Sequence, residues 1–320
     1  MTDRHRQHLR VDHRTARVLV IKLGALGDFV QATGAFAGIR AYHPRAHVVL
    51  LTTAPYESLA RASGWFDEVW TDSRPKLRDI SQWLALRRRL RRGRFERVYD
   101  LQTSDRTGLY FRLLGPGRRP EWSGTVRGCS HPHTNPERRR MHTLARLADQ
   151  LRTTGVTMLP GPRLDGIDAD ITRFRLPQPY VLLVPGSSAH RTDKRWPAEN
   201  YAALARSLAV DNVTSVVIGT VAEQQQANLI AASAASARSL AGQTTLAEIV
   251  AMARDAVGAV GNDTGPMHLI AGAGTPSLVL FSGASDPALC GQQGPDVTIL
   301  RREPLWELPV AEVEAHLRLR

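Results

Sequence analysis

Four loops in this chain carry residues whose types and spacing suit work on a phosphorylated ligand. The first is Lys22-Leu23-Gly24-Ala25-Leu26-Gly27-Asp28, which follows an apolar run of strand length. Two glycines let the backbone turn sharply at the carboxyl edge of a sheet, where open α/β sheets bind ligands. Asp28 stands at the start of the helical periodicity that runs from Phe29. Its carboxylate can cap that helix, or it can take a proton from a hydroxyl as a general base. The spacing G-x-x-G-D is neither a dinucleotide fingerprint nor a P-loop, because the third glycine and a Gly-Lys-Ser/Thr are both missing.

The second loop, from Pro185 to Pro197, holds Gly186, Ser187, Ser188, Arg191, Lys194 and Arg195 ahead of a helix. Backbone amides, the helix dipole and Lys194 or Arg191 would together hold a diphosphate, whereas a solvated loop is the plainer reading. Lys194 is one of only three lysines, with Lys22 and Lys76, which hints at a need for a compact ammonium. The third loop is Gly261-Asn262-Asp263-Thr264-Gly265-Pro266-Met267-His268. Asp263 or Thr264 can cap the helix that Pro266 opens, and the amides of Thr264 and Gly265 can face an anion. His268, one turn into that helix, is either a packed histidine or a ligand contact. The fourth, Gly219-Thr220-Val221-Ala222-Glu223, sets an acid near a helix start. There a carboxylate either holds a ribose diol or stabilises the helix dipole.

Other chemistries find no constellation. His131, His133 and His142 have no ligand spacing with Cys129 or Cys290, so no metal site is expected. No G-x-S-x-G is present, which argues against a Ser/His/Asp hydrolase. The two cysteines cannot make a disulfide framework. The first 17 residues are charged throughout and lack the apolar core of a secretion signal, and no window of 18 apolar residues occurs. The chain reads as cytoplasmic.

The elements that must position these loops follow from periodicity. Val18–Leu23 reads as a strand buried on both faces, followed by an amphipathic helix to Tyr42. Strands at Val48–Thr52, Glu68–Trp70 and Arg97–Leu101 then alternate with helices at Tyr56–Ala62 and Ile80–Arg92, an order that implies right-handed crossovers and a parallel sheet. Residues 115–137 read as irregular, a helix follows over Arg139–Leu151, and Leu159–Pro179 is the best linker. The second half restarts the order. Strands are expected at Tyr180–Val184, Val213–Ile218, Ala256–Val260 and Ser277–Phe281, the last closing the series. Helices are expected at Pro197–Leu208, Ala222–Ala235 and Leu246–Arg254. The 320 residues thus divide into two Rossmann-like α/β domains, 1–168 and 169–320, with a cleft between them. The final stretch, Val310–Leu319, is expected to pack back across the linker.

Charge is uneven. Forty-two basic residues against thirty acidic give +12, which favours anionic partners. Residues 74–119 hold fourteen Lys or Arg against four acids. Either a solvated helix face or a patch meeting lipid, sugar phosphate or nucleic acid fits that run. With 6% aromatics and no nucleic-acid module, nucleic acid is not expected as a partner.

The three motifs KLGALGD, PGSSAHRTDKRWP and NDTGPMHLIAGAGTPSLVLFSGASDP, in this order at strand ends, resemble those of the ADP-heptose:lipopolysaccharide heptosyltransferases, glycosyltransferase family nine. The resemblance runs from Val18 to about Pro295. It implies a GT-B fold, with the acceptor on the N-terminal domain and the nucleotide sugar on the C-terminal one, and an inverting transfer from an ADP-heptose type donor without an essential metal or other cofactor. Asp28 corresponds to the family's general base. Ser187, Ser188 and Lys194 fall on its phosphate-binding positions. Asp263, Thr264, Gly265 and His268 fall on its nucleotide-sugar signature, and Glu223 on its ribose-binding acid. The implied acceptor is a lipopolysaccharide-core or similar anionic glycan, met at the cytosolic face of the inner membrane. Gln102, Arg106 and His142 are the acceptor candidates by position. Thr33-Gly34 stands where many relatives carry Thr-Pro. The alternatives are a related transferase with another nucleotide sugar or acceptor, and a non-catalytic nucleotide- or anion-binding protein.

Overall fold

The computed structural model describes residues 16–115, 117, 119–187 and 191–320. The first half contains β1 (Arg17–Ile21), α1 (Leu26–Gln31), α2 (Thr33–Tyr42), β2 (His47–Thr52), α3 (Glu57–Ala62) and β3 (Glu68–Thr71). It continues with α4 (Ile80–Arg92), β4 (Arg97–Asp100), α5 (Asp105–Leu113), β5 (Glu121–Gly124), β6 (His131–Pro132) and α6 (Thr143–Arg152). The second half contains β7 (Tyr180–Val184), α7 (Ala198–Val210), β8 (Thr214–Val217), α8 (Gln224–Ala231), β9 (Arg238–Ser239) and α9 (Leu246–Asp255). It ends with β10 (Gly258–Asn262), α10 (Gly265–Gly272), β11 (Ser277–Phe281), α11 (Pro287–Cys290), β12 (Val297–Arg301) and α12 (Val310–His316).

Two six-stranded sheets result, ordered β3-β2-β1-β4-β5-β6 and β12-β11-β10-β7-β8-β9. Every strand pair runs parallel. The central strands are aliphatic because helices cover both faces: Val18 to Ile21 and Tyr180 to Val184 are all at most 1% exposed. Strand order reverses beside β1 in the first sheet and beside β7 in the second. The chain leaving β1, β4, β7 and β10 therefore opens at a crevice in each half, the place where such sheets take ligands. All four loops with candidate chemistry leave these strands or β8.

Several expectations need correction. The helix drawn from Phe29 to Tyr42 is two helices. Thr33 marks the break, its hydroxyl donating to Val30 O and accepting from Arg163 N, 2.7 and 2.8 Å. The connecting segment crosses there so closely that a Cβ on Gly34 would lie 2.0 Å from Pro160 O. Residues 115–137 are not all irregular, since they supply β5 and β6. Ser277–Phe281 does not close the second sheet, because β12 pairs beyond it. The last helix packs on α7 instead of crossing the linker, with Val313 in the cluster that holds Trp196, Tyr201 and Leu204.

Candidate functional site

The site forms where α1 and α10 meet. Both start just after a central strand, one in each half, and their first turns touch through glycine. A Cβ on Gly265 would lie 2.8 Å from Leu26 Cβ, and one on Gly27 would lie 2.6 Å from His268 Cδ2. A larger residue at either position would force the Leu26 or His268 side chain, or its helix, to shift. Gly24 turns the chain from β1 into α1 with φ +116°, a conformation that side-chain-bearing residues rarely adopt.

Asp28 lies in the first turn of α1, which begins at Leu26, earlier than expected. The N-cap is Ala25 and no side chain caps it, so the capping role offered for Asp28 is not taken up. The partly buried carboxylate is close enough to Lys22, Tyr56 and His268 to influence the ionisation of each. His268 is buried, and burial brings its pKa down to about 4, so the ring is neutral at pH 7. Gln31 Nε2 lies 3.4 Å from His268 Nδ1. An amide nitrogen can only donate, so the ring proton sits on Nε2, on the side of Gly27.

Lys194 and Asp263 form a largely buried ion pair in the second half. Lys194 Nζ donates to Asp263 Oδ2 at 2.6 Å, with side chains 16% and 7% exposed. Ser285 Oγ reaches the same oxygen at 2.7 Å and Gln292 Nε2 reaches Oδ1 at 3.1 Å. Burial works to raise the Asp263 pKa, but these donors outweigh it and hold the carboxyl below its usual range. Asn262 fastens the two loops together. Its Oδ1 accepts from Trp196 N and Tyr201 OH, and its Nδ2 donates to Pro185 O at 2.7 Å.

Ser187 is buried in the loop after β7, where its hydroxyl donates to Arg191 O at 2.8 Å and accepts from Arg195 Nε at 2.9 Å. Ser188 lies outside the described residues. Thr264 is the N-cap of α10 without a side-chain cap bond, and Gly265 opens the helix. Glu223 closes a capping box through Oε2 to Thr220 N, 2.6 Å, while Oε1 packs against Gly186. The cap thus uses Oε2 alone.

The three acceptor candidates occupy different places. Gln102 Oε1 accepts from Leu23 N at 2.9 Å and so braces the turn after β1. Arg106 donates to Pro75 O at 3.2 Å and lines a cavity of about 570 Å³ beside α5 whose walls do not include Asp28. His142 caps α6 through Nδ1 and donates from Nε2 to Gly291 O at 3.1 Å. Thr143 Oγ1 reaches Leu289 O, and Gln31 Nε2 reaches Cys290 O and Gly291 O. His142 is thereby part of a latch joining the first half to the end of α11 and Gly291.

Three cations that the sequence did not mark as site residues, Lys22, Arg138 and Arg146, gather at the end of β1, with Asp28 beside Lys22. Lys22 is 4% exposed, its ammonium reaching Leu101 O at 3.4 Å. Burial lowers its pKa, Asp28 and Asp100 oppose that, and Arg146 and Arg138 reinforce it. Arg138 is held by Thr103 Oγ1 and His133 Nδ1. The rarity of lysine was a signal for Lys22, but nothing local in residues 133–146 marks the two arginines. Among the described residues, no group of three His, Cys, Asp or Glu could hold a metal ion.

A family model described as Glycosyltransferase family 9 (heptosyltransferase) matches residues 83–317. Lipopolysaccharide heptosyltransferase 2 from Escherichia coli (strain K12) is 25% identical over 293 residues, covering 85% of this chain and 84% of that protein. The solved structure of a family 9 glycosyl transferase from Veillonella parvula aligns with TM-score 0.82 at 19% identity, covering 94% of this chain and 95% of that one. The structure of E. coli heptosyltransferase WaaC with ADP aligns with TM-score 0.75 at 20% identity, covering 93% and 98%. These likenesses establish the GT-B fold of paired parallel sheets. The family match spans well over half of the chain, so the protein belongs to glycosyltransferase family 9, the heptosyltransferases.

Proposed function

We propose that this enzyme transfers a heptose or related sugar, with inversion, from an ADP-activated donor to a lipopolysaccharide-core or similar anionic glycan. The observation that carries the reading is the meeting of Asp28 with His268 and the Lys194–Asp263 pair across the α1–α10 seam. On this reading residues 1–168 take the acceptor and 169–320 the donor, at the cytosolic side of the inner membrane. The similar structure described with ADP supports the choice of nucleotide. Among the described residues no helix is long and apolar enough to cross a membrane.

The chemistry follows from the placement. Asp28 accepts the proton of an acceptor hydroxyl while that oxygen bonds to the anomeric carbon from the face opposite the diphosphate. The bond from that carbon to the diphosphate oxygen breaks, and ADP carries the electron pair away. Lys194, the first amides of α10 and the Nε2 proton of His268 face the growing negative charge. An ammonium has three protons, so Lys194 can serve Asp263 and a phosphate oxygen together. The oxygen Oε1 of Glu223, at the ends of β7 and β8, suits a ribose diol. Lys22 beside Asp28, with Arg138 and Arg146 beside Lys22, gathers positive charge at the end of β1, which suits a phosphorylated acceptor.

Calorimetric titration with ADP, GDP and UDP in the absence of divalent metal tests the donor. Selective ADP binding that Lys194→Ala weakens is expected. Preference for UDP or GDP would overturn the ADP-heptose assignment and leave the family intact.

A further inference from the structure

Outside the cleft, the most unusual surface is the segment from Leu77 through α4. Leu77, Ile80 and Leu84 are 83%, 69% and 48% exposed, three large aliphatic side chains within eight residues. The inner side of α4 is satisfied, since Leu86 and Leu90 are buried under the sheet. The spacing i, i+4, i+8, i+11 sets Ile80, Leu84, Arg88 and Arg91 on one outward face, apolar in its first turns and cationic in its last. Residues 76–94 carry eight basic side chains and a single acid, Asp79. Among the described residues, none of the arginines from 74 to 94 forms an ion pair, although fifteen ion pairs occur elsewhere. The patch continues into the cavity of about 570 Å³, where Leu77, Trp83 and Leu109 stand beside Arg106, Arg112 and Arg127. That cavity also reaches Asp100 and Thr103, neighbours of Lys22 and Arg138 at the acceptor side of the cleft.

We propose that this face docks the enzyme on an anionic phospholipid bilayer. Leu77, Ile80 and Leu84 enter the boundary between headgroups and acyl chains, and Arg88 and Arg91 meet lipid phosphates. Apolar residues at one end and unpaired guanidinium groups at the other are the two signals that stable interfacial binding combines. A purely solvated segment has no use for bare aliphatic residues at Leu77, Ile80 and Leu84. The inference deepens the transferase reading and rests on its lipid-linked acceptor, whose glycan would then reach Asp28 from the membrane side.

Co-sedimentation of the full chain with phosphatidylcholine vesicles, with and without phosphatidylglycerol, tests it. Binding to the anionic vesicles is expected, falling roughly fivefold for each of Arg88→Gln and Arg91→Gln. The triple variant Leu77→Ser, Ile80→Ser, Leu84→Ser should lose at least about tenfold in partition at low salt, because its apolar insertion is gone. Equal binding by wild type and the triple variant would overturn the proposal, as would binding abolished by salt alone with no dependence on Leu77, Ile80 and Leu84. A change of oligomeric state in the triple variant would overturn it too, by making the face a contact between copies. ADP titration of the same variants shows whether they are folded. It also separates the two readings, since vesicle binding needs neither donor nor acceptor.

Discussion

Lys194→Ala removes one half of a nearly dry ion pair. The pair spans 2.6 Å with its side chains 16% and 7% exposed, so the Asp263 carboxylate would be left buried with only Ser285 and Gln292 as donors. Breaking a buried pair costs about 3–5 kcal/mol, and two surviving neutral donors place this case near about 3 kcal/mol. The pH dependence has a defined sign. In the wild type the Asp263 pKa is depressed, so its contribution to stability is present above the ordinary value of 3.8 and fades as pH falls through the folded value. Without Lys194 the burial effect is left to raise that pKa, and stability is lost as pH rises past 3.8. The difference between wild type and variant therefore widens from acid toward neutral pH. Urea denaturation at several pH values measures it. ADP affinity should fall about tenfold to a hundredfold, the worth of a charge-assisted hydrogen bond to phosphate. Adding Asp263→Asn should restore most of the stability while leaving ADP binding weak, since the stranded charge is gone but no ammonium returns. If the double variant is as unstable as the single one, the buried carboxylate is not the cause and the reasoning fails.

Three further outcomes are expected. Asp28→Ala should lower kcat by about 10²–10⁴ with unchanged ADP affinity, and full turnover on a competent acceptor would refute its role as base. Gly27→Ala would set a methyl group 2.6 Å from His268 Cδ2. Relieving that contact should cost about 1–3 kcal/mol and lower kcat by separating the first turns of α1 and α10, while far-UV dichroism stays native. His268 falls from 6.5 to about 4 on folding, so the unfolded chain takes up its proton first as pH drops. At about 1.4 kcal/mol per pH unit, stability should fall by about 3 kcal/mol between pH 6.5 and 4 on its account. In His268→Asn that part of the acid loss should vanish in denaturation curves, leaving the share of His43, which burial also lowers to about 4.

Much of the scaffold can be read from local pattern. Tyr180–Val184 and Ser277–Phe281 are strands and Ile80–Arg92 a helix at the limits expected, because an unbroken aliphatic run or a sustained 3.6-residue period leaves little choice. Edge elements escaped for the opposite reason. Glu121–Gly124 reads EWSG and His131–Pro132 has two residues, too short and too polar to signal strands outside a sheet that pairs them. The break between α1 and α2 was invisible because its cause is the 159–163 segment lying across Thr33 and Gly34.

For the site, residue types and turn chemistry marked the loops, since a glycine that must turn and an acid at a helix start are needs of the immediate chain. Gln31, Arg138 and Arg146 could not be marked this way, and Lys22 lay in a marked loop that did not show its role. Gln31 gains its meaning from His268, 237 positions away, and from the 290–291 carbonyls. Lys22 gains its meaning from being buried between Asp28, Asp100 and two arginines from another helix and loop. Period, propensity and turn type act over a few residues and are written in the chain. Burial, charge balance and the glycine contact of α1 with α10 arise only when two separately wound sheets are brought face to face.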